Sequence, residues 1–174
     1  MTANLDTVTR QAESRLLEFT RSELFNRTFR EGMDIVEETA AYLDGPGRAN
    51  SKSLNRSDAL VYASHSMRLT TKLMQVASWL LVQRAVKEQE MTVQEAWADK
   101  YRIVEDPKDS DKLSFDNLAK VAQALPSNLL ELIARGDQLY ERVARLDRSL
   151  YRTVEAQKGN SVADQLQRLR SAFK

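Results

Sequence analysis

The chain of 174 residues contains no cysteine. That absence removes disulfides, thiolate metal sites, iron–sulfur clusters and cysteine nucleophiles together, and it suits a reducing cytoplasm. Histidine is nearly missing too. With His65 alone, a di-metal helical bundle, which needs Glu-x-x-His pairs on several helices, is excluded. Glycine and proline number only 5 and 3, a scarcity that favours helix throughout. Charge of neither sign dominates, since 26 Lys and Arg face 25 Asp and Glu. Proteins that hold nucleic acid by neutralising phosphates usually carry a clear basic excess. No compact helix–turn–helix with a basic recognition helix is visible either, so nucleic acid is not an expected partner. Long hydrophobic runs are also lacking. The most apolar window, Met74 to Val86, is interrupted by Gln75, Ser78, Gln83 and Arg84, whereas a membrane span needs about 20 apolar residues. The N-terminus shows no basic region followed by an apolar core, the layout of a signal peptide. These absences lead to the expectation of a soluble, intracellular, single-domain helical protein, cytoplasmic and without a membrane partner.

What is present is helical periodicity. Residues 1–21 are weakly patterned and predict a loosely ordered N-terminus. Ser22 can cap a helix over about 22–44, with Phe25, Phe29, Val36, Ala40 and Leu43 on one face and Gly32 an irregularity within it. Gly45 suits the left-handed position after a helix and Pro46 cannot continue one, so a loop is predicted through Ser53. Asn55 or Ser57 opens a second helix to about residue 89, free of Gly and Pro. On a helical wheel Leu60, Ala63, Met67, Thr70, Met74, Ala77, Leu81 and Ala85 form one stripe. Tyr62, Leu69, Leu73, Val76 and Leu80 form a second beside it. Two stripes suit a helix packed on two neighbours. The third side carries His65, Arg68, Lys72, Gln75 and Gln83, with Trp79 and Val86 among them.

Thr92-x-x-Glu95 is a capping-box pattern that predicts a short helix. The charged stretch from Asp99 to Asp116, with six acids and four bases, reads as a surface connection extending to 126, with room for a short helix over Phe115 to Leu125. A last long helix is predicted over 127–156, where Leu129, Gly136, Val143 and Leu150 recur every seven residues. Lys158-Gly159-Asn160-Ser161 reads as a break before a flexible C-terminal tail over 157–174. In that tail Val162, Leu166, Leu169 and Phe173 keep helical spacing and make a candidate contact element. The predicted fold class is all-α: an antiparallel three-helix bundle over 22–156, with a short accessory helix and flexible termini.

Catalytic chemistry is not legible. There is no phosphate-cradling Gly-rich loop, no H-E-x-x-H and no nucleophile elbow. Catalytic, cofactor-binding and metal residues are therefore all expected to be none. Glu37 and Glu38 are adjacent on a helix and point about 100° apart, so they do not converge on one atom and read as a solvated face. His65 is followed by Arg68 and Leu69. A histidine phosphotransfer bundle has an exposed His followed by Lys and Gly at the corresponding places, so the likeness is partial; Leu69 stands where a receiver needs room. An ordinary surface histidine is the simpler reading. Arg68, Lys72, Gln75, Trp79 and Gln83 form a candidate partner-binding stripe, since Trp flanked by cations is a common interface anchor. The plainer alternative packs Trp79 beneath another segment.

Three stretches, VEETAAYLDGPGR (36–48), HSMRLTTKLMQVASWLLVQRAV (65–86) and LYERVARLDRSL (139–150), together resemble the family named regulator of CtrA degradation, RcdA. Length and segment order agree over nearly the whole chain, and the match is close to that family's type member. The resemblance implies a dimeric three-helix bundle with a flexible tail and no catalytic activity or cofactor. It implies an adaptor in regulated proteolysis during the cell cycle. Such an adaptor joins ClpXP protease primed by the receiver-domain protein CpdR and delivers substrates directly. It also delivers them through PopA, a second adaptor that binds cyclic di-GMP and brings CtrA. Recruitment to a cell pole follows from those partners.

Overall fold

Ser22 accepts a hydrogen bond from the Phe25 amide at 3.2 Å and so separates two helices, α1 (Thr2–Arg21) and α2 (Glu23–Asp44). The computed structural model describes the backbone of residues 2–104 and 123–172, and the side chains of residues 10–104 and 123–151. All regular structure among them is helical, so the chain is all-α. After Gly45 the next helix, α3 (Pro46–Ser53), begins at once, where a loop was predicted. Pro46 takes the first helical position, where its missing N–H has no intrahelical partner to lose and its fixed φ suits the helix. Gly45 itself is not left-handed, with φ −107°. Asn55 caps α4 (Arg56–Lys87) by accepting the Asp58 amide at 2.9 Å. Thr92 and Glu95 form the predicted capping box at α5 (Val93–Ala96), and a 3₁₀ turn follows at Asp99–Tyr101. The last helix, α6 (Ser127–Ala172), runs without interruption through the break predicted at 158–161. One glycine at Gly159 carries only about 1 kcal/mol of helix penalty relative to alanine.

The N-terminal segment is not the loose chain expected but a further long helix of the bundle. Ala12, Leu16 and Thr20 of α1 are buried. Leu16 joins a cluster with Val82, Val86, Val93 and Ala96, while the Phe19 ring lies 5.9 Å from that of Trp79. The three-helix bundle therefore becomes four long helices, α1, α2, α4 and α6. Their directions also differ from the expected all-antiparallel arrangement. Glu38 pairs with Arg135 at 2.7 Å and Glu31 with Arg142 at 2.5 Å, so α2 and α6 run antiparallel. Lys72 meets Asp137, Trp79 meets Asp147 and Gln83 meets Tyr151, an ascending series in both helices, so α4 and α6 run parallel.

A parallel pair needs a connection that returns along the bundle, and the segment after α4 supplies its start. Ala96 receives a hydrogen bond from Tyr151, Arg102 pairs with Asp147, and the Val104 carbonyl accepts from Tyr140. The chain thus descends α6 from residue 151 to 140. Glycines let the helices approach closely. A Cβ on Gly32 would lie 2.6 Å from Leu80, and one on Gly136 would lie 2.6 Å from Leu69.

Candidate functional site

The stripe singled out as partner-binding is mostly interior. Trp79 and Gln83 are fully buried, and Lys72 is nearly so. The Trp79 indole N–H donates to Asp147 at 2.8 Å, and that carboxylate also accepts from Arg102 at 2.9 Å. The Gln83 amide donates to the Tyr151 hydroxyl at 3.4 Å, and Tyr151 donates onward to the Ala96 carbonyl at 2.9 Å. Lys72 pairs with Asp137 at 3.0 Å and lies over the Tyr140 ring. Arg68 and Gln75 are half-buried at the edge of this seam. What looked like an outward polar face is a polar seam between α4 and α6. Its Asp, Tyr and carbonyl partners come from positions that helical spacing cannot associate with α4.

His65 is half-buried on the same side. Burial, and then the nearby Arg68 charge, lower its pKa below the usual 6.5, against an opposing pull from Asp137. Leu69, one turn on, is buried against the Gly136 backbone and leaves no open platform beside the imidazole. Glu37 and Glu38 lie on the exposed side of α2. Among the described residues, no group of three His, Asp or Glu side chains is placed to hold a metal ion. No helix there is long and apolar enough to cross a membrane. The side chains of Val162, Leu166, Leu169 and Phe173 lie outside the described residues.

The outer surface of α4 is made by the stripe that the wheel had turned inward. Leu60, Met67, Met74 and Leu81 are exposed to 68%, 72%, 67% and 52%. Seven-residue spacing keeps them in one line, about 32 Å long at 1.5 Å per residue. Between them lie the exposed small residues Ala63, Ser64, Thr70, Thr71 and Ser78. No charged residue is fully exposed on α4 from Leu60 to Leu81, although charges are abundant elsewhere on the surface. An uncharged strip of this kind, with large apolar side chains along its length, marks a protein contact more often than free surface. Periodicity placed Tyr62, Leu69, Leu73, Val76 and Leu80 inside, where they are, but it could not show that the polar side of α4 has buried partners on α6 and leaves the apolar stripe outside.

Comparisons with known proteins add the following. The family model described as "Protein of unknown function (DUF1465)" matches residues 16–173. A comparison with curated proteins finds no match. Among solved structures, the crystal structure of RcdA from Caulobacter crescentus CB15 is similar at 54% sequence identity and a TM-score of 0.61. The similarity covers 78% of this chain and 97% of that one.

Proposed function

The chain belongs to the DUF1465 family and to the RcdA family, and from that premise we propose that it is a non-catalytic adaptor that promotes degradation of CtrA. The protease it would serve is ClpXP primed by CpdR. Cargo would reach it directly or through PopA loaded with cyclic di-GMP, with recruitment to a cell pole following from these partners. The observation that carries this reading is the uncharged, largely apolar outer face of α4, a surface made for another protein and not for a small substrate. Adaptors act by raising the local concentration of a substrate at an enzyme, which requires at least two binding surfaces. The outer face of α4 serves as one. The C-terminal segment 157–174, with Val162, Leu166, Leu169 and Phe173, serves as another.

The test is reconstituted degradation. Purified ClpXP, CpdR, PopA, cyclic di-GMP and CtrA are combined with and without this protein, and loss of CtrA is followed over time. Addition of the protein should accelerate the loss severalfold. Equal rates in the two reactions would refute the adaptor reading.

A further inference from the structure

Where the first turns of α2 meet the last turn of α4, the two helices enclose a groove of about 410 Å³ that is open to solvent. We propose that this groove binds an acidic segment of another protein, one in which two carboxylates flank an aromatic side chain. Phe25 is buried and Phe29 half-buried, so their rings, 5.9 Å apart, form the floor. Arg84 lies 5.2 Å over the Phe29 ring and Lys87 lies 5.7 Å over the Phe25 ring. A cation within about 6 Å of a ring centroid is attracted by the ring's quadrupole. Two long side chains are thus held in place before any partner arrives, which lowers the ordering cost of binding. Arg30 donates to the Asn26 carbonyl at 3.4 Å, and Lys87 donates to the Asn26 side-chain oxygen at 2.7 Å. Cations from two different helices therefore converge on one asparagine.

Charge selects the occupant. Arg30, Arg84 and Lys87 share the groove with only Glu23 and Glu88, which leaves one positive charge in excess. The Glu23–Arg30 pair spans 3.3 Å with both side chains 71% exposed, and so solvated a pair is readily exchanged. Arg84 donates to Glu88 through Nε at 2.8 Å, and its terminal nitrogens remain for a second carboxylate, which the guanidinium fork accepts in a bidentate manner. Lys87 spends its hydrogen bond on a neutral oxygen. Two anchor points for carboxylates thus lie one helical turn apart. Between them, the inner face of the Arg84 guanidinium rests on Phe29, while its side chain is 50% exposed on the outside. Guanidinium planes stack on aromatic rings, so an incoming ring completes a sandwich with Arg84 at its centre. A small inorganic anion would use the cations and leave that stacking face bare.

The test uses the full chain and a fluorescein-labelled peptide, Gly-Ser-Glu-Phe-Glu-Ser-Gly, followed by fluorescence anisotropy. The peptide should bind saturably, half-maximally below about 1 mM, and more weakly as salt rises from about 50 mM to about 500 mM. The analogue with both glutamates replaced by glutamine should bind about 10-fold more weakly or worse. Lys87→Glu and Arg84→Gln, both at exposed positions, should each weaken the acidic peptide by about 10-fold or more while the unfolding midpoint stays in place. In NMR spectra the side-chain amide of Asn26 should shift on peptide addition, whereas that of Asn50, on α3 at the opposite end of the bundle, should not. Equal affinity for the glutamine analogue, undiminished binding by Lys87→Glu, or an unmoved Asn26 amide would overturn the proposal. Inorganic phosphate binding as tightly as the peptide would overturn it too, reducing the groove to a general anion site. The titration contains no protease, so its outcome is independent of whether the chain accelerates CtrA loss.

Discussion

Asp147 accepts hydrogen bonds from Trp79 on α4 and from Arg102 in the connection, and it is only 2% exposed. Three pieces of chain, distant in sequence, thus converge on one carboxylate. Buried ion pairs add little when compared with well-packed apolar groups, but removing one partner leaves the other desolvated and unsatisfied. Asp147→Ala should therefore cost about 3–5 kcal/mol, read as a lower urea midpoint. Lys72→Met should cost no more than about 1 kcal/mol, because its partner Asp137 is 44% exposed and well solvated. Comparable losses in the two variants would show that burial is not what distinguishes these pairs. The same geometry decides between the two readings of Trp79 that the sequence left open. An indole flanked by Arg, Lys and Gln resembles an interface anchor until the acceptor for its N–H is known, and that acceptor lies 68 residues away.

At the scale of the element, local signals were legible and long-range ones were not. Ser22, Asn55 and the Thr92–Glu95 box each cap a helix as their chemistry requires, because a cap involves residues three positions apart. On α4 the stripe Tyr62, Leu69, Leu73, Val76 and Leu80 is buried as expected, but Leu60, Met67, Met74 and Leu81 lie outside and Lys72, Trp79 and Gln83 inside. Hydrophobicity gives direction only when the polar side of a helix faces solvent, and on α4 that side instead finds polar partners on α6. α1 was missed for a related reason: its buried positions Ala12, Leu16 and Thr20 hold only one large apolar side chain among them. That side chain nonetheless closes the end of the bundle against Val82 and Val86. Leu16→Ala should cost about 3 kcal/mol, measured by thermal or urea unfolding. Replacing the exposed Leu24, 50% accessible on α2, should change stability by less than about 0.5 kcal/mol. Equal effects at the two leucines would mean that α1 does not contribute to the core.

At the scale of the whole molecule, the parallel course of α4 and α6 determines what each end of the bundle can do. The polar seam of Asp137, Asp147 and Tyr151 fixes the lower part of α6 against α4, and the connection is pinned to it by Ala96, Arg102 and Val104. The segment 157–174, proposed above as the second binding surface, continues the same helix beyond this seam. Its apolar residues Val162, Leu166, Leu169 and Phe173 recur at helical spacing, a pattern suited to laying one face in a groove of another protein. An adaptor lacking one of its two surfaces loses the gain in effective concentration, commonly about 10²–10⁴-fold, even when the other surface is intact. Deleting residues 157–174 should accordingly leave helical content per residue, unfolding midpoint and self-association nearly unchanged, while stimulation of CtrA loss falls to the rate without adaptor. Full stimulation by the shortened chain would remove the tail from the mechanism and move the second surface onto the bundle itself.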